Sequence, residues 1–209
     1  MKEKIIFDLD GTLMNADFSL EDDFFSERLG KNDADKFVPV KYDLLLKYED
    51  LFSRYDIKCL SEFLTIGSGV NITEKLIREW LLIGSTFKDE LVPDIVDVLE
   101  YLKSKDYELI VLSNWFKSTQ VNRLKKMGLY DYFVEVYGGD DFLKPNPISY
   151  LSICDDVSEC VMIGDNYNND LTHINNCKSE DIVKVEYGGE IIWEEKVDWS
   201  EVPFGTKVR

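Results

Sequence analysis

Short runs in which nearly every position is apolar recur along the chain, and each ends on a small or acidic residue. They fall at residues 4–7, 108–112, 132–137, 160–163 and 182–186. Runs this short without polar alternation predict strands buried on both faces. Between them the apolar positions move to helical spacing. Residues 93–105 set Ile95, Val98, Leu99 and Leu102 on one stripe behind Pro93, whose missing N–H does no harm in a first turn. Residues 117–127 repeat the pattern with Val121 and Leu124, and Gly128 follows as a C-terminal stop. Alternation of apolar strand and amphipathic helix predicts an α/β fold, a parallel sheet covered on both faces.

Residues 15–88 break the alternation, because helix follows helix between the first and second strands. The pattern predicts helices over residues 20–29, closed by Gly30, over 40–55, over a short stretch near Leu60, and over 71–83. The last opens with Asn71 and Glu74 in capping-box register and carries Leu76, Ile77, Trp80 and Leu81. The aromatic residues Phe24, Phe25, Tyr42, Tyr48, Phe52 and Trp80 recur at helical spacing and read as the interior of this lobe rather than as a ligand cage. The chain thus divides into a core formed by residues 1–14 and 89–209 and an inserted helical lobe, residues 15–88. Beyond Gly188, Ile191, Ile192, Trp193, Val197 and Trp199 fit an additional edge strand.

Composition narrows the class of partner. The 209 residues are 44% hydrophobic and 31% charged, in keeping with a folded globular protein, and carry a formal net charge of -17. Such a chain repels nucleic-acid phosphates and anionic headgroups, both of which are bound through clusters of Lys and Arg. If it takes a phosphate at all, a local cation or a set of donors must override the global field, which points to bound metal. The apolar run in residues 1–7 is too short for a signal peptide, and no stretch approaches the roughly 20 apolar residues of a membrane helix, so neither nucleic acid nor membrane is an expected partner. Cys59, Cys154, Cys160 and Cys177 have neither paired metal-ligand spacing nor the density of a secreted scaffold. They read as reduced core thiols of a cytoplasmic protein. Nothing in the sequence bears on oligomeric state.

The polar residues at the strand ends carry the chemistry. Asp8-Leu9-Asp10-Gly11-Thr12 follows the first strand, and side chains two apart on an extended chain project to the same side. Asp8 and Asp10 therefore face one space, where they repel unless a cation or a shared proton intervenes. Oxygen-only ligands of this kind suit magnesium. Thr12 adds a hydroxyl and an N–H. Ser113 and Asn114 end the next strand just before a helix, where exposed N–H groups bind anions. Lys144 sits between the third strand and Pro145 and offers a charge to offset bound phosphate and Asp8. Asp165 and Asp170 follow the fourth strand and add two carboxylates. Each segment alone also reads as an ordinary turn or cap. Ligands of an open parallel sheet bind at the carboxyl ends of its strands, so together the four converge on one crevice.

In this order the four segments resemble the signature motifs of the haloacid dehalogenase-like superfamily, in its phosphatase branch, and they span residues 8–170. The resemblance implies a Rossmann-like core with an α-helical cap inserted after the first motif. It further implies that Asp8 is the nucleophile, forming an aspartyl-phosphate, and that Asp10 is the general acid and base. Ser113 and Lys144 would hold the transferring phosphoryl group with help from Thr12 and Asn114. Asp8, the Asp10 backbone carbonyl and Asp165 would hold magnesium, and Asp170 would orient Lys144 or a metal-bound water. The substrate would be a small phosphorylated metabolite. Trp115 departs from the pattern, since a small residue is common there, and it either narrows the pocket mouth or packs beneath the cap.

Other activities of the superfamily are set apart by particular residues, and a phosphonatase stays open on the sequence. Dehalogenases lack the second aspartate, here Asp10. Mutases that use a cap histidine differ from this chain, whose single histidine, His173, follows Asp170. A phosphonatase needs a reactive cap lysine, for which Lys36, Lys41, Lys47, Lys58 and Lys75 are available. From a different class comes a silent phospholigand-binding protein, which has no use for a nucleophile beside an acid.

Overall fold

The computed structural model describes residues 4–154, 160–166, 169–170 and 184–186. Strand β1 (Lys4–Phe7) is central, between β4 (Glu108–Leu112) and β6 (Cys160–Gly164), with β5 (Glu135–Tyr137) and β7 (Lys184–Glu186) outside them, five strands of one sheet among the described residues. Every pairing is parallel. Phe7 stands beside both Val111 and Ile163, so the central strands end level and their following residues emerge on one edge.

Alternate residues of the strands serve opposite faces, which is why these runs show no polar alternation. Ile5, Phe7, Leu109, Val111, Val161 and Ile163 pack on one side against Val98, Leu99, Leu102 and Leu124 of α6 (Ile95–Ser104) and α7 (Lys117–Lys126). Ile6, Ile110, Leu112 and Met162 pack on the other against Tyr150 and Ile153 of α8 (Pro147–Ile153). The sheet and its two helical layers form the Rossmann-like arrangement. Helix α6 begins at Ile95 rather than Pro93, because Asp94 has φ 63 and cannot continue a right-handed helix backwards. The strand expected over 132–137 is confined to Glu135–Tyr137, since Tyr130–Tyr132 forms a 3-10 turn. Of 182–186, Lys184–Glu186 is the described part. The hydrophobic tail beyond Gly188 lies outside the described residues.

Between β2 (Met14–Asn15) and β3 (Glu90–Leu91) come the helices α1 (Ser19–Leu29), α2 (Lys31–Phe37), α3 (Lys41–Leu51), α4 (Ile57–Ser68) and α5 (Glu74–Gly84). The largest departures from the expected pattern occur here. Helix α2 is mostly charged and buries only Ala34 and Phe37, too few positions to show a period. The helix expected over 40–55 stops at Leu51, and the "short" helix near Leu60 is α4, started by the Asp56 carboxylate accepting from the Cys59 N–H at 2.9 Å. The N-cap of α5 is Thr73, not Asn71, with Thr73 Oγ1 accepting from the Leu76 N–H at 3.2 Å. Upstream, the Ile72 N–H and C=O are held by the Thr65 and Ser61 hydroxyls, which delays the helix.

These helices share one core. Phe25 meets Phe37 and Trp80 edge to face, and Tyr48 stacks on Tyr55. Phe24, Phe25, Tyr48 and Trp80 are buried as expected, whereas Tyr42 is 49% and Phe52 39% exposed. Phe116 and Leu143 join this cluster from the sheet side. Where Tyr55 donates its N–H to Gly139 and Leu143 donates to Ser53, the two parts of the chain are also joined through backbone.

A buried ion pair sits within the helices. Lys41 Nζ lies 2.8 Å from Glu21 Oε2 and 3.0 Å from Asp22 Oδ1, and Glu21 also accepts from Tyr42 Oη at 3.0 Å and Trp80 Nε1 at 2.8 Å. Lys41→Met keeps the length of the side chain and leaves the Glu21 carboxylate buried without its cation. The expected cost is about 3 kcal/mol, read as a lowered denaturation midpoint, because an unpaired buried charge keeps its full desolvation penalty.

The cysteines correct the expectation of reduced core thiols. Cys59 is an exposed free thiol, and Cys154, buried at the end of α8, is disulfide-bonded. The side chains of Cys160 and Cys177 lie outside the described residues. Among those residues no helix is long and apolar enough to cross a membrane.

Candidate active site

Asp8 leaves the end of β1 and continues the ladder by donating its N–H to the Ile163 carbonyl at 2.8 Å. Its carboxylate accepts from Lys144 Nζ at 2.6 Å, and the same ammonium donates to Asp170 at 2.5 Å. All three side chains are buried. Burial pushes the Asp8 carboxyl up to about 7, with Lys144 opposing and Asp170 reinforcing the shift. The two carboxylates hold the Lys144 ammonium well above its ordinary value, against its own burial. Asp170 is in turn fixed by the Asn166 N–H on its other oxygen.

The turn after β1 is shaped by close approach. Gly11 has φ 80, and a Cβ there would collide with the Asp165 carboxylate. A Cβ on Gly164 would likewise collide with Asp170. Asp8, Asp165 and Asp170 each offer a carboxylate oxygen within 4.8 Å of the others. Burial and the Asp170 charge raise the Asp165 carboxyl as well. Crowded carboxylates with oxygen donors alone fit a hard divalent cation such as magnesium.

Asp10 points elsewhere. Its two carboxylate oxygens accept from Arg123 Nη1 at 3.0 Å and Nη2 at 2.6 Å, a bidentate pair. Arg123 also donates to Asp89, whose side chain is fully buried, and to Gln120 Oε1. Gln120 Nε2 then reaches Ser113 Oγ at 2.7 Å, which leaves the Ser113 hydroxyl able to donate into the cavity. Asn114 Nδ2 donates to Glu49 and to the Lys144 carbonyl, while Asn114 Oδ1 accepts from the Lys144 N–H at 2.7 Å. The Asn114 amide thus braces the Lys144 loop against α3.

These groups line one cavity of about 260 Å³ between the sheet edge and the helices. Asp8, Asp10, Ser113, Asn114, Lys144, Asp165 and Asp170 all reach it. Thr12 does not: it is buried beside the turn, and its hydroxyl has no hydrogen-bond partner among the described residues. Across the cavity stand Phe18, Glu21, Tyr42, Leu45, Trp80, Phe87 and Trp115. Trp115 both forms wall and packs beneath the helices, with its ring 4.8 Å from that of Trp80. Tyr42 and Trp80, read from their spacing as lobe interior, are wall residues too.

Arg123, Gln120, Asp89 and Glu21 escaped sequence reading. Arg123 sits among the lysines of α7, where one more basic residue is unremarkable. Gln120 and Arg123 do share a helix face at i, i+3, and two polar residues there, flanking the apolar positions Val121 and Leu124, were the available signal.

The comparisons with known proteins agree with this geometry. The chain is 24% identical over 177 residues to the pyrophosphatase PpaX of Bacillus pumilus, covering 80% of this chain and 76% of that protein. It is 26% identical over 182 residues to a phosphoglycolate phosphatase of Vibrio parahaemolyticus, covering 78% and 75%. Among solved structures, the magnesium-bound HAD-hydrolase YfnB of Bacillus subtilis superposes with a TM-score of 0.64 at 17% identity, over 88% of this chain and 87% of that one. The family model of haloacid dehalogenase-like hydrolases matches residues 4–177. Sheet order, strand-end carboxylates and this match over most of the chain lead to one assignment: the protein belongs to the haloacid dehalogenase-like hydrolases.

Proposed function

We propose that the protein is a magnesium-dependent phosphatase that hydrolyses a small phosphate monoester through an aspartyl-phosphate on Asp8. The observation that carries this reading is the Asp8 carboxylate at the central strand end, 2.6 Å from a buried lysine and within reach of two further carboxylates. One Asp8 oxygen attacks phosphorus and the bond to the alcohol oxygen breaks, with a proton from Asp10 going to that oxygen. Asp10 then removes a proton from water, whose oxygen attacks phosphorus. The bond to Asp8 breaks, and inorganic phosphate and the Asp8 carboxylate are regenerated. Lys144 and the Ser113 hydroxyl neutralise and position the phosphoryl oxygens. Magnesium, held by Asp8 and Asp165 with the Asp10 carbonyl, would supply charge against the phosphoryl group. Asp170 positions Lys144.

For Asp10 to serve a substrate it must release at least one of its contacts with Arg123. Residues 15–88 would act as a cap over a core of residues 1–14 and 89–209, and this cap would supply the wall that meets the alcohol. A phosphonatase needs an imine-forming lysine in the cavity, and none of Lys36, Lys41, Lys47, Lys58 and Lys75 is among its described wall residues. His173, on which a mutase comparison turns, lies outside the described residues. The relatives named for phosphoglycolate and pyrophosphate make that ester and that anhydride compounds to include among the substrates assayed.

The test is release of inorganic phosphate from a generic aryl phosphate with magnesium. Activity is expected to vanish in excess chelator and return when magnesium is restored. Turnover that persists in chelator would overturn the metal assignment.

A further inference from the structure

Among the described residues, the wall that meets the leaving alcohol has no uncommitted cation to offer it. Two cationic side chains line the cavity among the described residues, Lys144 and Arg123. Lys144 is held between Asp8 and Asp170, and Arg123 between Asp10 and Asp89; when Asp10 turns to the substrate, Arg123 keeps the fully buried Asp89 carboxylate as its counter-ion. Behind the far wall, Lys41 is 0% exposed and donates to Glu21 and Asp22. Against these stand five carboxylates in the cavity wall: Asp8, Asp10, Glu21, Asp165 and Asp170. Even with a divalent cation bound among the aspartates, the space beyond the phosphoryl group remains acidic. A second anionic group on the substrate would enter it without a cation to pair with, and a buried charge that lacks a counter-ion is costly.

What the far wall does offer is apolar surface. Phe18 and Phe87 meet edge to face with centroids 5.3 Å apart, and Trp80 and Trp115 lie together beyond them. Leu45 fills the remainder. Glu21 adds buried carboxylate oxygens, which accept hydrogen bonds and give none. The volume of about 260 Å³ is below the roughly 300–1,000 Å³ of clefts that hold drug-sized ligands. Once a phosphoryl group is seated, room is left for a body of about one ring.

Building on the phosphatase reading above, we propose that the substrate is the phosphate monoester of a small uncharged alcohol with an apolar or aromatic body, and that esters whose leaving group carries a carboxylate or second phosphate are selected against. Phe18, Leu45, Trp80, Phe87 and Trp115 supply the apolar selection, and the acidic wall supplies the exclusion.

The experiment compares kcat/KM of the intact enzyme with magnesium for 2-hydroxyethyl phosphate, 2-phosphoglycolate and benzyl phosphate. The first two match in length and differ in one terminal charge. The expected order is benzyl phosphate first, then 2-hydroxyethyl phosphate, with phosphoglycolate lower by at least about tenfold, the scale of one unfavourable contact of about 1.4 kcal/mol. In Phe18→Lys, which puts a cation on a partly exposed wall position, the ratio of phosphoglycolate to hydroxyethyl phosphate should rise several-fold. Phosphoglycolate cleaved as well as or better than its uncharged match would overturn the proposed substrate class and leave the phosphatase reading standing. No phosphate release from any of the three esters would overturn the phosphatase reading, and the class with it.

Discussion

Asp8→Asn is expected to reduce phosphate release to background, a loss on the order of 10⁶, the scale on which removal of a covalent nucleophile acts. The amide has the shape of the carboxylate but does not attack phosphorus. Its carbonyl oxygen can still accept from Lys144, and Lys144 keeps Asp170, so the variant should fold. Two measurements check the expectation: steady-state release of inorganic phosphate, and the intact mass of protein quenched during turnover. The parent should show a phosphorylated fraction and the variant none. Near-normal release from pure Asp8→Asn protein would sink the nucleophile assignment.

Asp10→Asn should behave differently, losing about 10² to 10⁴ in kcat, as expected for lost general acid–base catalysis. The nucleophile remains, so an ester with an activated leaving group, which needs little protonation, should still phosphorylate Asp8. Breakdown of that intermediate still requires a base for water and should become the slow step. A burst equivalent to one phosphoryl group per active site, followed by slow turnover, is the signature to look for with an aryl phosphate. A uniform loss with every leaving group and no burst would count against Asp10 as the shared acid and base. The bidentate Arg123 pair makes Asn a conservative choice here, since Arg123 keeps its bond to Asp89.

Strand identity and the strand-end carboxylates were legible because both follow from local rules. A buried parallel strand needs an unbroken apolar run, and β1, β4 and β6 fit that rule at five residues or fewer each. The level ends of those strands bring Asp8, Ser113 and Asp165 to one edge without help from the loops. What escaped depends on partners distant in sequence. Helix α2 exists because Ala34 and Phe37 have somewhere to pack, and Thr73 displaces Asn71 as a cap because Ser61 and Thr65 hold Ile72. Arg123 acquires its importance from Asp10, 113 positions away, and from Asp89, 34 positions away. No window along the chain contains those pairs.

The two-stranded ribbon of β2 and β3 places Asn15 directly opposite Glu90. The helical insertion therefore begins and ends at neighbouring points, and Arg123 fastens Asp10, ahead of β2, to Asp89, the residue before β3. An inserted unit with adjacent ends imposes no separation on its host, so the whole of it can be exchanged for another of different size, or for a tight turn, without moving the strands that carry Asp8 and Asp165. The constraint on such an exchange lies at the contact face: Trp115, Phe116 and Leu143, which now pack into the helical core, must find new cover, and the Gly139 carbonyl and Leu143 N–H new partners. Under the proposed function, most of the wall that meets the alcohol would then vary independently of the strand ends that carry the chemistry, with Trp115 the part of that wall left behind on the sheet side.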